Sequence, residues 1–240
     1  MGLWQALELD MDAHRCVSFV GGGGKTTLMY ALAHEARARG KTVVVTTTTH
    51  ILPHPGLFLT DGAEEGGLPP LLERYGVLTL GALNEDQRVR GVGSLARAKA
   101  AAGVLLVEGD GAKLHPLKAP ADHEPVIPPE SDAVVAVAGL DSLFRPIAEA
   151  CHRPERVCAL LGKNPGDRVG PVDVVKLLSD PAGGRKGVGE GVAFRCVLNK
   201  ADTPGTENAG REIMDRLRAL GIPAAVTCFD EEERDGKCWF

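Results

Sequence analysis

The stretch Val20-Gly21-Gly22-Gly23-Gly24-Lys25-Thr26-Thr27 decides how this chain folds. An apolar run at residues 16–20 precedes it, and residues 25–39 follow it with apolar side chains at helical spacing. A strand, a glycine turn and a helix are therefore predicted. The backbone N–H groups and the dipole of a helix that starts in this way attract an anion, and phosphate is the natural occupant.

Each residue type in this glycine loop (residues 21–25) and the helix start after it has a physical task. Glycine lets the backbone wrap closely around an anion, a lysine reaches the β and γ phosphates, and a threonine hydroxyl can bind Mg²⁺. The predicted nucleotide-binding residues here are Gly21, Gly22, Gly23, Gly24, Lys25, Thr26 and Thr27. The usual G-x-x-x-x-G-K-[ST] pattern would place its first glycine at Phe19, so the loop is atypical or shortened.

Strands and helices alternate along the rest of the chain. Further strands are predicted at residues 42–45, 77–80, 104–107, 133–138, 192–198 and 224–228. Further helices are predicted at residues 85–102 and 207–220. This order predicts an α/β fold of three layers, similar to P-loop NTPases, in which helices cover both faces of a mostly parallel sheet. Ligands bind at the carboxyl ends of such strands.

The length of 240 residues is compatible with one domain spanning residues 1–240. Stretches rich in proline, glycine and polar residues predict loop-rich excursions at residues 51–75, 111–130 and 151–191. The second of these holds five prolines and is a candidate active-site lid; we call residues 111–130 the lid segment.

Charge and composition exclude several classes of partner. A net charge of -5 offers no general basic surface to a nucleic acid, and no apolar run reaches the roughly 18 residues that a membrane span needs. Six scattered cysteines without a C-x-x-C motif suit a reducing compartment. We therefore expect a cytoplasmic protein that binds neither nucleic acid nor membrane.

Two acidic residues follow the predicted strand at residues 104–107. Glu108 and Asp110 point to the same side of an extended chain, at the place where a Walker B carboxylate holds Mg²⁺ or orients water. The sequence leaves open which of the two binds the metal. Lys25, Glu108 and Asp110 are the predicted catalytic residues, and Thr26 and Glu108 are the predicted metal ligands.

A second nucleotide motif, Asn199-Lys200-Ala201-Asp202, follows the predicted strand at residues 192–198. It resembles the N-K-x-D specificity motif of guanine-nucleotide-binding P-loop proteins. In such a site the aspartate accepts from guanine N1–H and the N2 amino group, the lysine stem packs on the base, and the asparagine fixes the loop. This base motif (residues 199–202) predicts GTP as the ligand, with ATP as the alternative, and residues 226–229 could close over the base.

Polar residues elsewhere are candidates for substrate binding or lid closure. Lys118, His123 and Glu124 place a cation, an imidazole and a carboxylate on the proline-stiffened lid segment, where they could bind an anionic substrate or close on the phosphates. Alternatively, they only hold the lid together through backbone bonds. Thr48, within four successive threonines, could contact phosphate or metal through its hydroxyl, or could simply fill a strand.

Together these motifs resemble the YqeC family of accessory proteins for selenium-dependent hydroxylases. The resemblance rests on residues 20–27, 46–49, 108–111, 118–125, 152–154 and 199–202. Its most distinctive part is K-x-P-x-x-H-E-P at residues 118–125. It implies a cytosolic P-loop protein that assists the maturation of selenium-dependent molybdenum hydroxylases, with such a client or a cofactor-maturation protein as partner.

Three functions remain open from sequence. The leading prediction is a GTP hydrolase that uses Mg²⁺ and serves insertion of selenium or cofactor into a client enzyme. The shortened loop also resembles the phosphate loop of ATP-dependent amide ligases, in which ATP activates a carboxylate. The third possibility is a nucleotide-gated chaperone without significant turnover.

Overall fold

The structure is a computed structural model that describes residues 2–229 and the backbone of a strand at Lys237–Trp239. The predicted domain of residues 1–240 also includes residues 1, 230–236 and 240, which lie outside the described residues.

Strands and helices alternate in the described part of the chain. The strands are β1 (Cys16–Gly21), β2 (Val43–Thr47), β3 (His50–Ile51), β4 (Phe58–Thr60), β5 (Val77–Leu80), β6 (Ala82–Leu83), β7 (Val89–Arg90), β8 (Val104–Glu108), β9 (Leu117–Lys118), β10 (Ala133–Gly139), β11 (Cys151–His152), β12 (Ala193–Asn199), β13 (Ala224–Cys228) and β14 (Lys237–Trp239). The helices are α1 (Leu3–Ala6), α2 (Lys25–Ala38), α3 (Leu68–Tyr75), α4 (Leu95–Ala101), α5 (Ile147–Ala150), α6 (Pro154–Leu161), α7 (Pro171–Ser179) and α8 (Pro204–Ala219), with a 3-10 turn at Leu140–Ser142.

The main sheet of the described residues has nine strands in the order β14-β13-β12-β10-β1-β8-β2-β5-β4. Every pairing in it is parallel except that of β13 with β14, which confirms the predicted mostly parallel sheet. Strand β1 lies between β8 and β10, with Val17 opposite Leu106 on one side and Ala133 on the other. The loops after these three strands therefore meet at one edge of the sheet.

Helices cover both faces of the sheet, as the three-layer prediction requires. Along β1, Val17 and Phe19 pack in the same cluster as Leu28 and Leu32 of α2. The residues that alternate with these along β1 point to the opposite face of the sheet. The apolar clusters on that face include side chains of α3, α4, α7 and α8. Since successive side chains of a strand point to opposite faces, a strand of consecutive apolar residues is what two covered faces need.

The predicted helix at residues 85–102 is wrong in its first half. Strand β7 occupies Val89–Arg90 and pairs antiparallel with β3 and β6 in a small separate sheet, so only α4 remains helical. Val89 is fully buried, and Gly91 lies so close to the backbone of Thr47 that an added Cβ would stand 1.9 Å from its carbonyl oxygen. This close tertiary contact overrides a helical pattern that is favourable only locally.

The predicted excursion at residues 51–75 is wrong in part, because β4 joins the edge of the main sheet and Leu72 of α3 is buried. The lid segment contains the short strand β9, and residues 151–191 contain β11, α6 and α7 between loops. Helix α1 and strand β14 were not predicted. Within the described residues, no helix is both long enough and apolar enough to cross a lipid bilayer.

Candidate functional site

The glycine loop adopts a conformation that side chains would prevent. Gly21, Gly23 and Gly24 have φ values of 96°, 78° and 111°, in the left-handed region that favours glycine. A Cβ on Gly23 would stand 2.1 Å from the backbone nitrogen of Gly139, at the end of β10. The loop is therefore wedged between the ends of the neighbouring strands.

Protein acceptors hold the first N–H groups of the loop. Gly21 donates to both carboxylate oxygens of Asp110 at 3.1 Å, Gly22 donates to the Val137 carbonyl at 2.9 Å, and Gly23 donates to the His115 carbonyl at 3.3 Å. The next N–H groups open helix α2, where a helix leaves its donors without intrahelical acceptors. The start of α2 therefore offers N–H donors of the kind that bind an anion.

The predicted catalytic residues meet directly behind the loop. The buried Lys25 Nζ donates to the Gly21 carbonyl at 2.7 Å and lies 3.2 Å from Asp110 Oδ1 and 3.7 Å from Glu108 Oε1. Thr26 Oγ1 donates to Glu108 Oε2 at 2.6 Å. Both carboxylates thus face the same lysine, as their spacing in the sequence predicts.

Glu108 and Asp110 have different surroundings. Burial raises the pKa of Glu108, and Lys25 and the Thr26 hydroxyl only partly oppose this effect. Asp110 is engaged by the Gly21 N–H and by lysine. The hydroxyl of Thr26 and the carboxylate of Glu108 together form an oxygen donor pair that fits a hard cation such as Mg²⁺. Among the described residues, no group of three or more His, Cys, Asp or Glu side chains could hold a metal ion.

The base motif is fastened to the glycine loop. The Asn199 amide nitrogen donates to the Gly23 carbonyl at 2.8 Å, and the Asn199 amide oxygen accepts from Thr227 Oγ1 at 2.9 Å. Asn199 is 4% exposed, so both ends of its amide are satisfied inside the protein. It therefore bridges the glycine loop and strand β13.

The other two residues of the base motif are more exposed. Lys200 Nζ lies 2.7 Å from Asp141 Oδ2, in a pair whose side chains are both 37% exposed. Asp202 is exposed and accepts a hydrogen bond from Cys228 Sγ at 3.1 Å. The predicted closing segment at residues 226–229 therefore contacts the base motif.

One cleft of about 840 Å³ joins these two motifs. Its walls are formed by Gly24, Thr26, Thr27, Tyr30, Ala31, His34, His54, Pro55, Asp141, Asn199, Lys200, Asp202, Cys228 and Phe229. Its volume lies within the range of about 300–1,000 Å³ that is typical of small-molecule sites. The start of α2 and the base motif are thus two walls of one ligand-sized space.

The lid segment is attached to Lys25 by a series of buried ion pairs. Asp110 lies 3.0 Å from Lys118, which lies 2.7 Å from Glu124. Arg153 donates to both carboxylate oxygens of Glu124, at 2.7 and 3.0 Å. We call Lys25, Asp110, Lys118, Glu124 and Arg153 the ion-pair ladder, because opposite charges alternate along it.

Glu124 of the lid segment and His152, which pairs with the lid strand β9, both have shifted pKa values. Burial disfavours ionisation of Glu124, but hydrogen bonds from Lys118 and Arg153 outweigh it and lower the pKa to about 2. Burial, with Arg153 and Lys118 nearby, lowers the pKa of His152 to about 4, so its ring is neutral where it stacks on His115. At neutral pH the ionised Glu124 therefore holds the lid segment in place through its ion pairs with Lys118 and Arg153.

The structure separates the remaining predicted lid residues. Lys118 and Glu124 belong to the ion-pair ladder, whereas His123 is exposed to solvent beside it. Thr48 donates its hydroxyl to the Val126 carbonyl at 3.1 Å, and its N–H donates to the Glu108 carbonyl at 2.9 Å. Thr48 therefore holds the lid segment against β8, and it does not line the cleft.

Sequence reasoning missed several residues of the site. In the sequence, Arg153 belongs only to the family motif at residues 152–154, and no motif marks Asp141. In the structure, the Oδ1 of Asp141 is buried without a hydrogen-bond partner among the described residues. Tyr30 and His34 line the cleft one and two turns after Thr26. That i, i+4, i+8 spacing on α2 was a signal that could have identified them.

The fold and the site define a three-layer α/β protein with a P-loop-like glycine turn after its central strand. The model of the family described as "YqeC protein" matches residues 17–155, more than half of the chain. The "Uncharacterized protein YqeC" of Escherichia coli strain K12 is 31% identical over 234 residues, which cover 91% of this chain and 90% of that protein. The chain therefore belongs to the YqeC family, as its motifs predicted.

Proposed function

We propose that this protein binds GTP with Mg²⁺ in the cleft and hydrolyses it. The observation that carries the proposal is the position of Asn199, which is hydrogen-bonded both to the glycine loop and to β13. Asn199 thereby ties the start of α2, which would hold the phosphates, to the loop that carries Asp202, which would read the base. A single nucleotide can contact both parts only if they are separated by about the length of that nucleotide.

The preference for guanine follows from the chemistry of Asp202. Its carboxylate lines the cleft and can accept from N1–H and the N2 amino group of guanine, whereas adenine presents an acceptor at N1. Two charge-assisted hydrogen bonds, at roughly 1.5–3 kcal/mol each, would favour GTP over ATP by about a hundredfold or more. The Lys200 stem, in the same wall, would pack on the base.

The residues behind the loop suit phosphoryl transfer. Bound Mg²⁺, held by Thr26 and Glu108, would neutralise charge that develops on the phosphates. Lys25 is held by Gly21 and Asp110 at the helix start, and its ammonium group would exchange these contacts for the phosphate oxygens when a nucleotide binds. The geometry favours Glu108 as the metal ligand, because Thr26 contacts it directly, and Asp110 as the residue that positions Lys25.

We further propose that GTP hydrolysis serves the maturation of a selenium-dependent molybdenum hydroxylase. The support is the family resemblance, together with a nucleotide cleft that could time the binding of a client. The test is co-purification of the hydroxylase with this protein in the presence of a non-hydrolysable GTP analogue or GDP. Equal recovery of client with both nucleotides, or none with either, would refute a nucleotide-timed client interaction.

The first experiment is binding of labelled GTP and ATP analogues, with Mg²⁺, to wild type and to Asp202→Ala. We expect a guanine preference of about a hundredfold that disappears in the variant. Asp215→Ala is the matched control, because Asp215 is an exposed acid on α8 that does not line the cleft.

Two other results would replace the proposal. Equal or stronger binding of ATP, unchanged by Asp202→Ala, would favour the ATP-dependent ligase. Tight guanine-specific binding without measurable turnover, alone and with a client present, would favour the nucleotide-gated chaperone.

A further inference from the structure

The end of strand β13 contacts both functional ends of the base motif. Thr227, which is fully buried, donates to Asn199 at 2.9 Å, and the next residue, Cys228, donates to Asp202 at 3.1 Å. These contacts join residues 28 and 26 positions apart in sequence. Two adjacent side chains therefore hold the loop-binding amide and the base-reading carboxylate.

We propose that Thr227 and Cys228 are positioning residues that set nucleotide specificity, and that the thiol of Cys228 makes base recognition sensitive to electrophiles. This inference rests on the proposed function, because it concerns the same guanine site. It adds two residues to that site and a means by which binding can be blocked.

Thr227 determines which way the Asn199 amide points. A hydroxyl that donates to the amide oxygen leaves the amide nitrogen to face the Gly23 carbonyl. If the hydroxyl is removed, the buried amide oxygen loses its donor and the amide has no reason to keep this orientation. The glycine loop and the base motif would then lose their fixed separation.

Cys228 acts on Asp202 in a related way. Its thiol engages Oδ1 of Asp202, which restrains an exposed carboxylate and orients its remaining acceptor positions toward a base. A thiol is a weak donor, so the restraint is modest, and we expect its loss to reduce the preference for GTP by about three- to tenfold.

The position of Cys228 also distinguishes it from the other described cysteines. It is half-buried and lines the cleft, whereas Cys16, Cys151 and Cys196 are buried away from it. Burial raises the pKa of Cys16 and Cys151 to about 12, which keeps these thiols protonated and unreactive. Cys158 is also half-buried but lies on α6 outside the cleft, so it is replaced in the alkylation experiment to leave the reaction at Cys228 readable.

The specificity test compares conservative and disruptive variants by the ratio of dissociation constants for GTP and ATP analogues. We expect Cys228→Ser and Thr227→Ser to keep the wild-type ratio, Cys228→Ala to lower it three- to tenfold, and Thr227→Val to lower it further. Thermal unfolding of each variant shows whether it is folded. If Thr227→Val fails to fold, the comparison of Cys228→Ala with Cys228→Ser and the alkylation experiment still decide the inference.

The alkylation test uses iodoacetamide on a Cys158→Ser, Cys238→Ser background. The Cys228 sulfur forms a bond to the acetamide carbon, iodide leaves and the thiol proton passes to the buffer. We expect GTP with Mg²⁺ to slow this reaction at least tenfold, ATP at the same concentration to slow it far less, and the alkylated protein to bind GTP at least tenfold more weakly.

The outcomes separate this inference from the function on which it rests. If wild type does not bind GTP selectively, the proposed function and this inference both fail. If wild type is selective but Cys228→Ala, Thr227→Val and the alkylated protein are equally selective, only the inference fails. Protection by GTP together with loss of selectivity in Cys228→Ala would support it.

Discussion

The two walls of the cleft are built in different ways. Behind the glycine loop, the side chains of Lys25, Asp110 and Lys118 are 5%, 2% and 1% exposed and are held by opposite charges. At the base motif, Asn199 and Thr227 form neutral hydrogen bonds, and Asp202 is exposed to solvent. We call Lys25, Asp110 and Lys118 the phosphate wall, and Asn199, Lys200, Asp202, Thr227 and Asp141 the base wall, after the parts of the nucleotide that we propose they serve. The phosphate wall is buried and held by charge, whereas the base wall is held by neutral hydrogen bonds and exposed contacts.

This difference has an energetic reason. Buried charges cost several kcal/mol each unless they are paired, so the phosphate wall tolerates little change. Exposed or neutral contacts cost less to alter. We therefore expect changes at the phosphate wall to impair turnover and stability, and changes at the exposed residues of the base wall to impair nucleotide binding and selectivity more than stability.

The largest effect is expected from Lys25→Met. It removes the cation that would neutralise the phosphates and leaves Asp110 and Glu108 without their shared partner. We expect single-turnover GTP hydrolysis to slow by about 1,000-fold or more. Lys41→Met, which removes a lysine paired with Asp12 at the surface, is the control and should hydrolyse GTP normally. Near-normal turnover in Lys25→Met would contradict the assigned role.

Lys118→Met tests whether the ion-pair ladder stabilises the phosphate wall. The variant leaves Asp110 and Glu124 without the cation between them, and removing one partner of a buried pair typically costs about 3–5 kcal/mol. We expect a loss of that order in the free energy of unfolding, measured by urea denaturation. A loss below about 1 kcal/mol would be no larger than the loss expected for an exposed ion pair. It would contradict the difference in stability contribution between the two walls.

Glu124→Gln should show a pH-dependent loss of stability. The folded pKa of Glu124 is about 2, below the ordinary value of 4.5, so its carboxylate contributes stability that is full above 4.5 and is lost as the pH falls toward 2. The difference in unfolding free energy between wild type and variant should therefore shrink as the pH is lowered from 6 to about 3. Glu155→Gln, an exposed acid on α6, should show no such convergence.

The smallest effect is expected at the base wall, from Asp141→Asn. The Lys200–Asp141 pair is 37% exposed on both sides, and such pairs contribute about 0–1 kcal/mol. We expect the free energy of unfolding to fall by no more than that amount. The affinity for GTP should change as well, because the variant frees Lys200 from its carboxylate partner. A loss of stability comparable to that of Lys118→Met would show that both walls are built alike.

The features that could be predicted from sequence are those set by local pattern. The glycine loop, Glu108 and the base motif each combine a strand end with residues of defined chemistry, and the strands around them are continuous apolar runs. Strand β7 was missed because its pairing with β3 depends on residues far away in sequence.

The contacts that organise the site could not be predicted in the same way. Arg153 meets Glu124 across 29 residues, and Thr227 meets Asn199 across 28, so no local spacing marks either pair. Asp141 reaches the site because β10 lies beside β1 in the sheet. The sequence contained the residues, but only the strand order brought them together.

The ion-pair ladder also bears on how this sequence can change over time. Asp110, Lys118 and Glu124 each lie between two oppositely charged neighbours, so replacing any one of them removes an ion pair from both neighbours. Single replacements there would be removed by selection, whereas paired replacements that keep the interior neutral would survive. We therefore expect relatives that lack Lys118 also to lack Glu124 or Asp110.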